Sequence, residues 1–216
     1  MTNSPFIMPI SEEIWGMKYQ FKDENGIPID NSVDDTQWRI ANALSKAEKP
    51  EQQQFWAGKF HHILQNFAFL NAGRITAGAG TGRNVTLSNC FTMDTIEDDL
   101  GDIYRNLREA ALTMKEGGGI GYDFSTLRPS GALVKGVSAD SSGPLSFMDN
   151  WDSMCYTIMS AGGRRGAMMA TMRCDHPDIY NFIAAKADPD RLRRFNMSIL
   201  VTDKFMDAVK SDGSID

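Results

Sequence analysis

The stretch VTLSNCFTM, residues 85–93, decides the fold class that the sequence predicts. Apolar and small polar residues alternate along it with the period of two that is typical of a β-strand. Residues 95–98 (TIED) follow with the spacing of a helix capping box, and the apolar stripe of residues 100–114 predicts an amphipathic helix. The glycines of residues 117–119 end this helix, and residues 120–124 predict a second strand.

The chain downstream repeats this alternation of strand and helix. Pro144 suits the first turn of a helix, and residues 168–174 and 195–202 predict two further strands. We expect a helix over residues 175–186 and another that begins at Asp203. Such alternation predicts an α/β fold with a parallel sheet under helices, and four strands are too few to close a barrel. The open edge of this sheet needs a partner or further sequence to cover it.

Residues 1–75 predict a separate, helical region. Asp34 and Asp35 favour a helix start before an apolar helical stretch. A second apolar stripe recurs at spacings of three and four, which we interpret as core packing, at Trp56, Phe60, Ile63, Leu64 and Phe67. The sequence therefore predicts an N-terminal helical region over residues 1–75 and β/α units over residues 76–216.

The composition excludes several classes of protein. With 28 acidic and 22 basic residues the formal net charge is −6, which argues against a nucleic-acid-binding protein held by positive charge. No apolar run approaches the length of a membrane helix, and the N-terminus lacks the features of a signal peptide. The 3 cysteines are too few for a disulfide framework. We expect a cytoplasmic protein that binds neither nucleic acid nor membranes and is an enzyme or part of one.

The sequence predicts different roles for the individual cysteines and histidines. Cys90 lies on the polar face of its predicted strand, where an accessible thiol can be redox-active, although a small buried residue is the alternative. Cys155 on an apolar helix stripe and Cys174 on an apolar strand face favour the structural interpretation. His61 and His62 have no acid or cysteine at ligand spacing, so we predict surface or packing roles and no metal site.

Two glycine-rich segments and one acidic cluster leave alternatives open. EGGGIG (116–121) precedes a strand, the reverse of a dinucleotide-binding fingerprint, so it either ends a helix or lets backbone approach a sugar or phosphate. AGGRRGA (161–167) is either a solvated loop or, through Arg164 and Arg165, a binder of phosphate or carboxylate. The acids of residues 97–99 either complement a helix N-terminus or bind a ribose hydroxyl.

The order of five longer motifs resembles that of ribonucleotide reductase large chains. These motifs are SNCF (88–91), KEGGGIGYDFSTLRPSGA (115–132), SSGPLSFMD (141–149), AGGRRGAMMATMRCDHPDI (161–179) and RRFNMSILVTDKFMDAV (193–209). ISEEIW (10–15) and RRGAMMATMRCDHPDI (164–179) are most similar to the adenosylcobalamin-dependent class. The resemblance covers nearly the whole chain.

This resemblance implies both a fold and a reaction. The fold is a ten-stranded α/β barrel, of which this chain supplies an N-terminal helical region and the first strands, an incomplete barrel. The reaction reduces ribonucleotides to deoxyribonucleotides. Adenosylcobalamin starts a thiyl radical on a finger-loop cysteine, and two other cysteines end as a disulfide. The finger-loop cysteine, the second redox cysteine and a cobalamin site are not found in this chain, so we expect it to be inactive alone.

The resemblance also implies roles for individual residues. Cys90 resembles the N-terminal member of the reducing cysteine pair. The positions that resemble substrate-pocket residues are Ser88, Asn89, Gly118 and Gly119. The positions that resemble a deoxynucleotide effector site are Glu97 or Asp98 for the ribose, Arg128 for the phosphate, and Gly163, Arg164 and Arg165 in the specificity loop.

The same resemblance implies the partners of the chain. They are a ribonucleotide substrate, a deoxynucleotide effector, a C-terminal reductase part, a thioredoxin-type reductant and a second copy in a homodimer. Two alternatives stay open. One alternative to a functional reductase part is a non-catalytic, nucleotide-binding regulatory relative that keeps the effector loops, and the other is a truncated fragment of the reductase.

Overall fold

The computed structural model describes residues 5–134, 136, 139–160 and 167–215. The chain divides into two compact units, residues 1–89 and 90–216. Helices make up the first unit: α1 (Pro9–Lys18), α2 (Val33–Ser45), α3 (Gln53–Leu64) and α4 (Gly73–Gly78). The predicted division after residue 75 would cut α4. No helix in the described ranges is long and apolar enough to cross a bilayer.

The second unit alternates strands and helices. Its strands are β1 (Cys90–Thr92), β2 (Gly119–Asp123), β3 (Leu133–Val134), β4 (Ala139–Asp140), β5 (Met168–Arg173) and β6 (Phe195–Leu200). Its helices are α5 (Leu100–Lys115), α6 (Pro144–Ser160), α7 (Ile179–Ala184) and α8 (Asp203–Lys210). Four strands form one parallel sheet in the order β1-β2-β5-β6, which confirms the predicted α/β class.

Helix α2 begins where the acidic residues indicate. The Ser32 hydroxyl accepts a hydrogen bond from the Asp35 amide at 3.1 Å, and Asp34 and Asp35 lie in the first turn near the positive end of the helix dipole. A buried ion pair then anchors the helix, because Arg39 Nη2 lies 2.9 Å from Asp30 Oδ2 and both side chains are at least 90% buried. The predicted start is confirmed.

Helix α3 confirms only part of the predicted stripe. Its line of buried residues is Ala57, His61 and Leu64, of which Leu64 belongs to the stripe, whereas Ile63 is 46% exposed. His61 can enter this line because its Nε2 lies 2.7 Å from Asp34 Oδ1 and its ring stacks on Trp38 at 3.9 Å. The expectation for Ile63 is therefore wrong, and the packing role of His61 is confirmed.

The strand predicted over residues 85–93 is much shorter in the structure. Only Cys90–Thr92 pair with a neighbour, in register with Gly119–Gly121 of β2. Residues 85–89 make short-range contacts instead, such as the Ser88 amide bond to the Thr86 hydroxyl at 3.1 Å. An alternating pattern becomes a strand only where a second strand satisfies its backbone, so the upstream half of the prediction is wrong.

Two helices begin later in the chain than the sequence predicts. The cap of α5 is Asp99, whose Oδ1 accepts from the amides of Gly101 and Asp102 at 2.9 and 3.2 Å. The predicted capping box at residues 95–98 fails because the Asp98 carboxylate is bonded to Arg128 instead. Helix α7 begins at Ile179 rather than at residue 175.

The buried core lies on one face of the parallel sheet, under α5 and α6. Met148, Trp151 and Cys155 of α6 are fully buried, which confirms the predicted stripe over that part of the helix. The Trp151 ring meets Tyr122 and Phe124 edge-on, with centroids 5.7 and 5.6 Å apart. This core fixes which strand residues point away from the helices. The loop predicted before α6 contains one further feature, the antiparallel pair of β3 with β4.

Candidate functional site

The face of the sheet opposite the core carries mostly small or polar side chains, with one methionine among them. Strand residues alternate between the two faces, so the registers place one set of exposed or half-buried residues here. We call it the open face: Cys90, Thr92, Gly121, Met169, Thr171, Asn196 and Ser198. A parallel sheet normally has both faces covered, so this polar face is the natural place for a ligand or further protein.

Cys90 occupies the amino end of β1 on the open face and is exposed. Its partner in the parallel ladder is Gly119, the first residue of β2. Residues in register point to the same face, so Gly119 places no side chain beside the thiol. The geometry leaves the Cys90 sulfur accessible for chemistry.

The predicted substrate-pocket residues fall into two groups. Ser88 and Asn89 are exposed and belong to the first unit, whereas Gly118 and Gly119 are buried in the second. A Cβ at Gly118 would lie 2.7 Å from Cε2 of Phe91 and 2.9 Å from the Thr113 methyl. Packing of the Phe91 ring is thus one physical reason for a glycine at this position.

The other two cysteines are not comparable thiols. Cys155 is fully buried under the sheet, and this burial raises the pKa of its thiol to about 11. Cys174 is half-buried, and its sulfur lies 3.9 Å from the hydroxyl of Thr202. Burial keeps Cys155 as an unreactive thiol, in agreement with the structural interpretation.

The predicted effector residues Glu97, Asp98 and Arg128 come together at the carboxyl end of the sheet. Arg128 Nε donates to Asp98 Oδ2 at 2.7 Å, and its Nη2 donates to the Asp98 carbonyl at 3.1 Å. The Thr126 hydroxyl donates to the carbonyl of Ile96 at 2.6 Å. These bonds lock the loop after β2 to the loop after β1.

Glu97 and Asp98 have different surroundings in this group. Asp98 is half-buried against Arg128, whereas Glu97 is exposed. The Glu97 amide donates to Asp102 Oδ2 at 2.8 Å. The Arg105 guanidinium beside Asp102, with the Glu97 amide second, lowers the pKa of the Asp102 carboxyl below its usual value. Asp102 therefore stays ionised and holds the Glu97 backbone in place.

Gly163, Arg164 and Arg165 of the predicted specificity loop lie outside the described residues. Four arginines further along the chain each pair with an aspartate: Arg173 with Asp175, Arg191 with Asp149, Arg193 with Asp190 and Arg194 with Asp152. These pairs neutralise the positive charge of this stretch.

Sequence reasoning missed the contacts of the DHPD segment, residues 175–178. It assigned His176 to a helix start, but the ring is buried and its Nε2 lies 2.9 Å from the carbonyl of Leu127. The only sequence signal was a histidine between two acids in an otherwise ordinary turn. Across the described parts of the chain, no three histidine, cysteine or acidic side chains lie close enough to hold a metal ion.

Comparison with known protein families accounts for both units. The all-alpha domain of ribonucleotide reductase matches residues 8–84, and the barrel domain of ribonucleotide reductase matches residues 88–216. This chain belongs to the ribonucleotide reductase family. The two matched domains correspond closely to the two compact units, and the barrel match contains the whole parallel sheet with its open face.

Individual reductases show the same similarity. The chain is 38% identical over 200 residues to a vitamin B12-dependent ribonucleoside-diphosphate reductase of Mycobacterium tuberculosis (strain CDC 1551 / Oshkosh), which covers 91% of this chain and 28% of that protein. It is 32% identical over 211 residues to the enzyme of that name from Thermoplasma acidophilum, covering 97% and 26%. A ribonucleoside-diphosphate reductase subunit alpha of Chlamydia muridarum is 28% identical over 176 residues, covering 80% and 17%. The chain spans about a quarter of the length of the first two relatives.

Within this reductase chain the two candidate groups lie at opposite ends of the parallel sheet. Cys90 and Gly119 begin their strands, whereas the loops that carry Asp98 and Arg128 follow the ends of β1 and β2. The thiol end offers an accessible sulfur, and the other end offers a guanidinium with carboxylates beside it. The accessible thiol and the charged group are therefore spatially separate in this fold.

Proposed function

We propose that this chain forms the N-terminal part of a cobalamin-dependent ribonucleotide reductase, which converts ribonucleotides to deoxyribonucleotides. The observation that carries the proposal is the exposed Cys90 thiol on the open face of the barrel sheet, beside Gly119. The named relatives, which include vitamin B12-dependent reductases, support the reaction class.

Cys90 supplies one of the two thiols that reduce the substrate. Each thiol gives one electron and one proton, so the two together replace the 2′-hydroxyl by hydrogen, release that oxygen as water and end as a disulfide. Cys155 cannot be the second thiol of a rapid exchange, because it is fully buried on the core face and its pKa is raised to about 11. The second thiol, the radical-bearing cysteine and the C-terminal reductase part are contributed by further polypeptide.

The substrate pocket forms around the amino end of β1. Within the second unit, Gly119 lets the sugar approach the Cys90 thiol closely. Gly118 contributes its backbone and admits the Phe91 ring, which holds β1 against β2.

Adenosylcobalamin supplies the radical initiation when it is bound to the complete reductase. Four cavities within the described ranges have volumes of about 330, 350, 360 and 480 Å³, each the size of a pocket for an ordinary small ligand. We therefore assign no cobalamin contact to the described residues.

Reconstitution tests this function directly. The chain is mixed with a polypeptide that carries the remaining barrel, adenosylcobalamin, a ribonucleotide and a thioredoxin-type reductant, and deoxyribonucleotide formation is measured. We expect turnover with the native chain, none with Cys90→Ser, and nearly native turnover with the control Cys174→Ser. Turnover that persists in Cys90→Ser would contradict the role of Cys90 as a reducing thiol.

We also propose that the Asp98–Arg128 group binds a deoxynucleotide effector, with Glu97 on the ribose hydroxyl, Arg128 on the phosphate and the loop of Gly163, Arg164 and Arg165 as specificity loop. The support is the assembly of carboxylates and guanidinium from two loops within the second unit. A regulatory, nucleotide-binding chain, the alternative function, would use this same group. The fork-shaped guanidinium suits phosphate oxygens, and an exposed carboxylate accepts sugar hydroxyls.

Calorimetric titration of the chain with a deoxynucleoside triphosphate tests this second function. We expect binding that weakens at least about tenfold in Arg128→Ala, because a charge-assisted contact to phosphate is lost. The matched control is Arg108→Ala, which removes the same charge from the exposed surface of α5. Absence of heat with the native chain, or equal affinities for the two variants, would contradict effector binding here.

A further inference from the structure

The loop that carries Arg128 is held at both ends by the DHPD turn, residues 175–178. We call residues 127–130 (LRPS) the LRPS loop. His176 Nε2 lies 2.9 Å from the carbonyl of Leu127, the first residue of this loop. The amide of Ser130, its last residue, donates to Asp178 Oδ2 at 2.8 Å. Arg128 lies between these two attachment points.

The hydrogen bonds of His176 define its tautomer. Its Nδ1 accepts from the Asp178 amide at 3.0 Å, so the ring proton is on Nε2, which donates to the Leu127 carbonyl. One neutral imidazole therefore joins the DHPD turn to the LRPS loop. Loss of either ring nitrogen breaks the connection.

Asp178 makes the second connection from a buried position. The residue is 5% exposed, and a buried carboxylate costs free energy unless hydrogen bonds satisfy it. The Ser130 amide meets that need at 2.8 Å, with a longer contact of 3.4 Å from the Asn181 amide group. The position of Asp178 is thus coupled to that of the LRPS loop.

We infer that His176 and Asp178 are positioning residues for Arg128 and set its guanidinium for a nucleotide phosphate. The inference rests on the proposed effector binding at Arg128. Asp98 holds the side chain from one direction at 2.7 Å, and the DHPD turn holds the backbone from the other. Strand β5 lies between residues 161–167 and the DHPD turn in the sequence. This one strand therefore connects the predicted specificity loop to the turn that holds the Arg128 backbone.

A double-mutant cycle distinguishes positioning from simple structural support. The full chain is titrated calorimetrically with dATP and dTTP as probes, in His176→Ala, Asp178→Ala and Arg128→Ala and in the double variants. We expect each single variant to bind about tenfold more weakly. Because the positioning residues act through Arg128, we expect no further loss when either is combined with Arg128→Ala. Additive losses would overturn the inference.

Asp178→Asn supplies the conservative rescue. Its amide oxygen can still accept from the Ser130 amide, so we expect affinity close to that of the native chain, whereas Asp178→Ala stays weak. If both variants bound the nucleotide equally weakly, the charge of Asp178 would matter rather than its attachment to the loop. That result would contradict the inference.

Gly143 offers an independent variant outside the turn. Its φ is +79°, and a Cβ there would lie 2.9 Å from both Asp178 Oδ2 and the Ser130 amide nitrogen. Gly143→Ala should therefore separate that pair and weaken triphosphate binding. The matched control is Gly131→Ala, which has nearly the same φ of +80° but no neighbour within 4 Å of the added Cβ. Both variants carry similar backbone strain, so equal affinities would count against the inference.

An NMR readout separates this inference from the proposed function. The Arg128 Nε–H signal should be slow to exchange in the native chain and exchange rapidly in His176→Ala and Asp178→Ala, with thermal unfolding confirming folded variants. If the native chain binds dATP and Arg128→Ala weakens binding, but the His176 and Asp178 variants bind normally, only the inference is wrong. If the native chain binds neither nucleotide, the proposed effector function is wrong and the inference falls with it.

Discussion

Arg128 and Asp98 are 30 residues apart in sequence, yet Nε of the arginine lies 2.7 Å from Oδ2 of the aspartate. The Arg128 amide also donates to Oδ1 of the same carboxylate at 3.2 Å. Both side chains are about one-third exposed, so solvent screens the pair and its energetic contribution is modest. The pair matters for its geometry, because it places the exposed Glu97 next to the LRPS loop, which carries Arg128.

Glu97 and Asp98 should respond differently to loss of charge. We expect Asp98→Asn to lower the free energy of unfolding by about 0.5–1 kcal/mol and to weaken triphosphate binding, because Arg128 loses its ionic partner. Glu97→Gln should weaken triphosphate binding but leave the free energy of unfolding unchanged, since the Glu97 carboxylate is exposed. Chemical denaturation and calorimetry measure the two effects. Binding unchanged in Glu97→Gln would exclude Glu97 as the ribose ligand.

The cysteines should differ sharply in reactivity. Iodoacetamide at about pH 8 should label the exposed Cys90 in the native chain, whereas Cys155 should react only after unfolding. Burial raises the pKa of Cys155 to about 11, so its thiol stays protonated across the ordinary range of pH. Peptide mass spectrometry locates the label, with Cys90→Ser as the control. Rapid labelling of Cys155 in the folded chain would contradict the packing described for α6.

Local patterns predicted the elements whose determinants are close in sequence. The start of α2 at Asp34 and Asp35, and the α6 stripe through Met148, Trp151 and Cys155, need only neighbouring residues to be recognised. The alternation of strands with helices was enough to predict the parallel sheet. Each helix or strand in this alternation can be recognised from residues within its own segment.

Features that depend on distant partners could not be predicted in the same way. Residues 85–89 alternate like a strand, but β2 offers pairing partners only from Gly119 onward. Asp98 has the spacing of a capping residue, but Arg128 takes its carboxylate, and Asp99 caps α5 instead. His176 contacts Leu127, 49 residues away. In each case a long-range contact overrides a local preference.

The loop that carries Glu97 should open in acid. Hydrogen bonds from Arg105 and from the Glu97 amide lower the pKa of Asp102 in the folded chain. Its stabilising effect is therefore fully present above the unfolded value of about 4, and is lost as the pH falls through the lowered folded value. Amide exchange by NMR should show the Glu97 amide protected at about pH 6, less protected as the pH falls through the lowered pKa of Asp102, and unprotected in Asp102→Ala, which removes the acceptor. Glu109→Ala, on the same helix, is the control, and equal protection in both variants would contradict this role.

The glycine run after α5 should tolerate alanine at one position and not at another. A Cβ at Gly118 would lie 2.7 Å from the Phe91 ring and 2.9 Å from the Thr113 methyl, whereas at Gly121 the nearest atom is Met169 Cβ at an ordinary 3.6 Å. We expect Gly118→Ala to lower the free energy of unfolding by about 1–3 kcal/mol, the usual cost of overpacking, and Gly121→Ala to have little effect. Chemical denaturation of both variants measures the difference. Because Phe91 follows Cys90 directly, the displaced ring should also alter the rate at which Cys90 is alkylated, and an unchanged stability and rate in Gly118→Ala would show that this packing does not hold β1 in place.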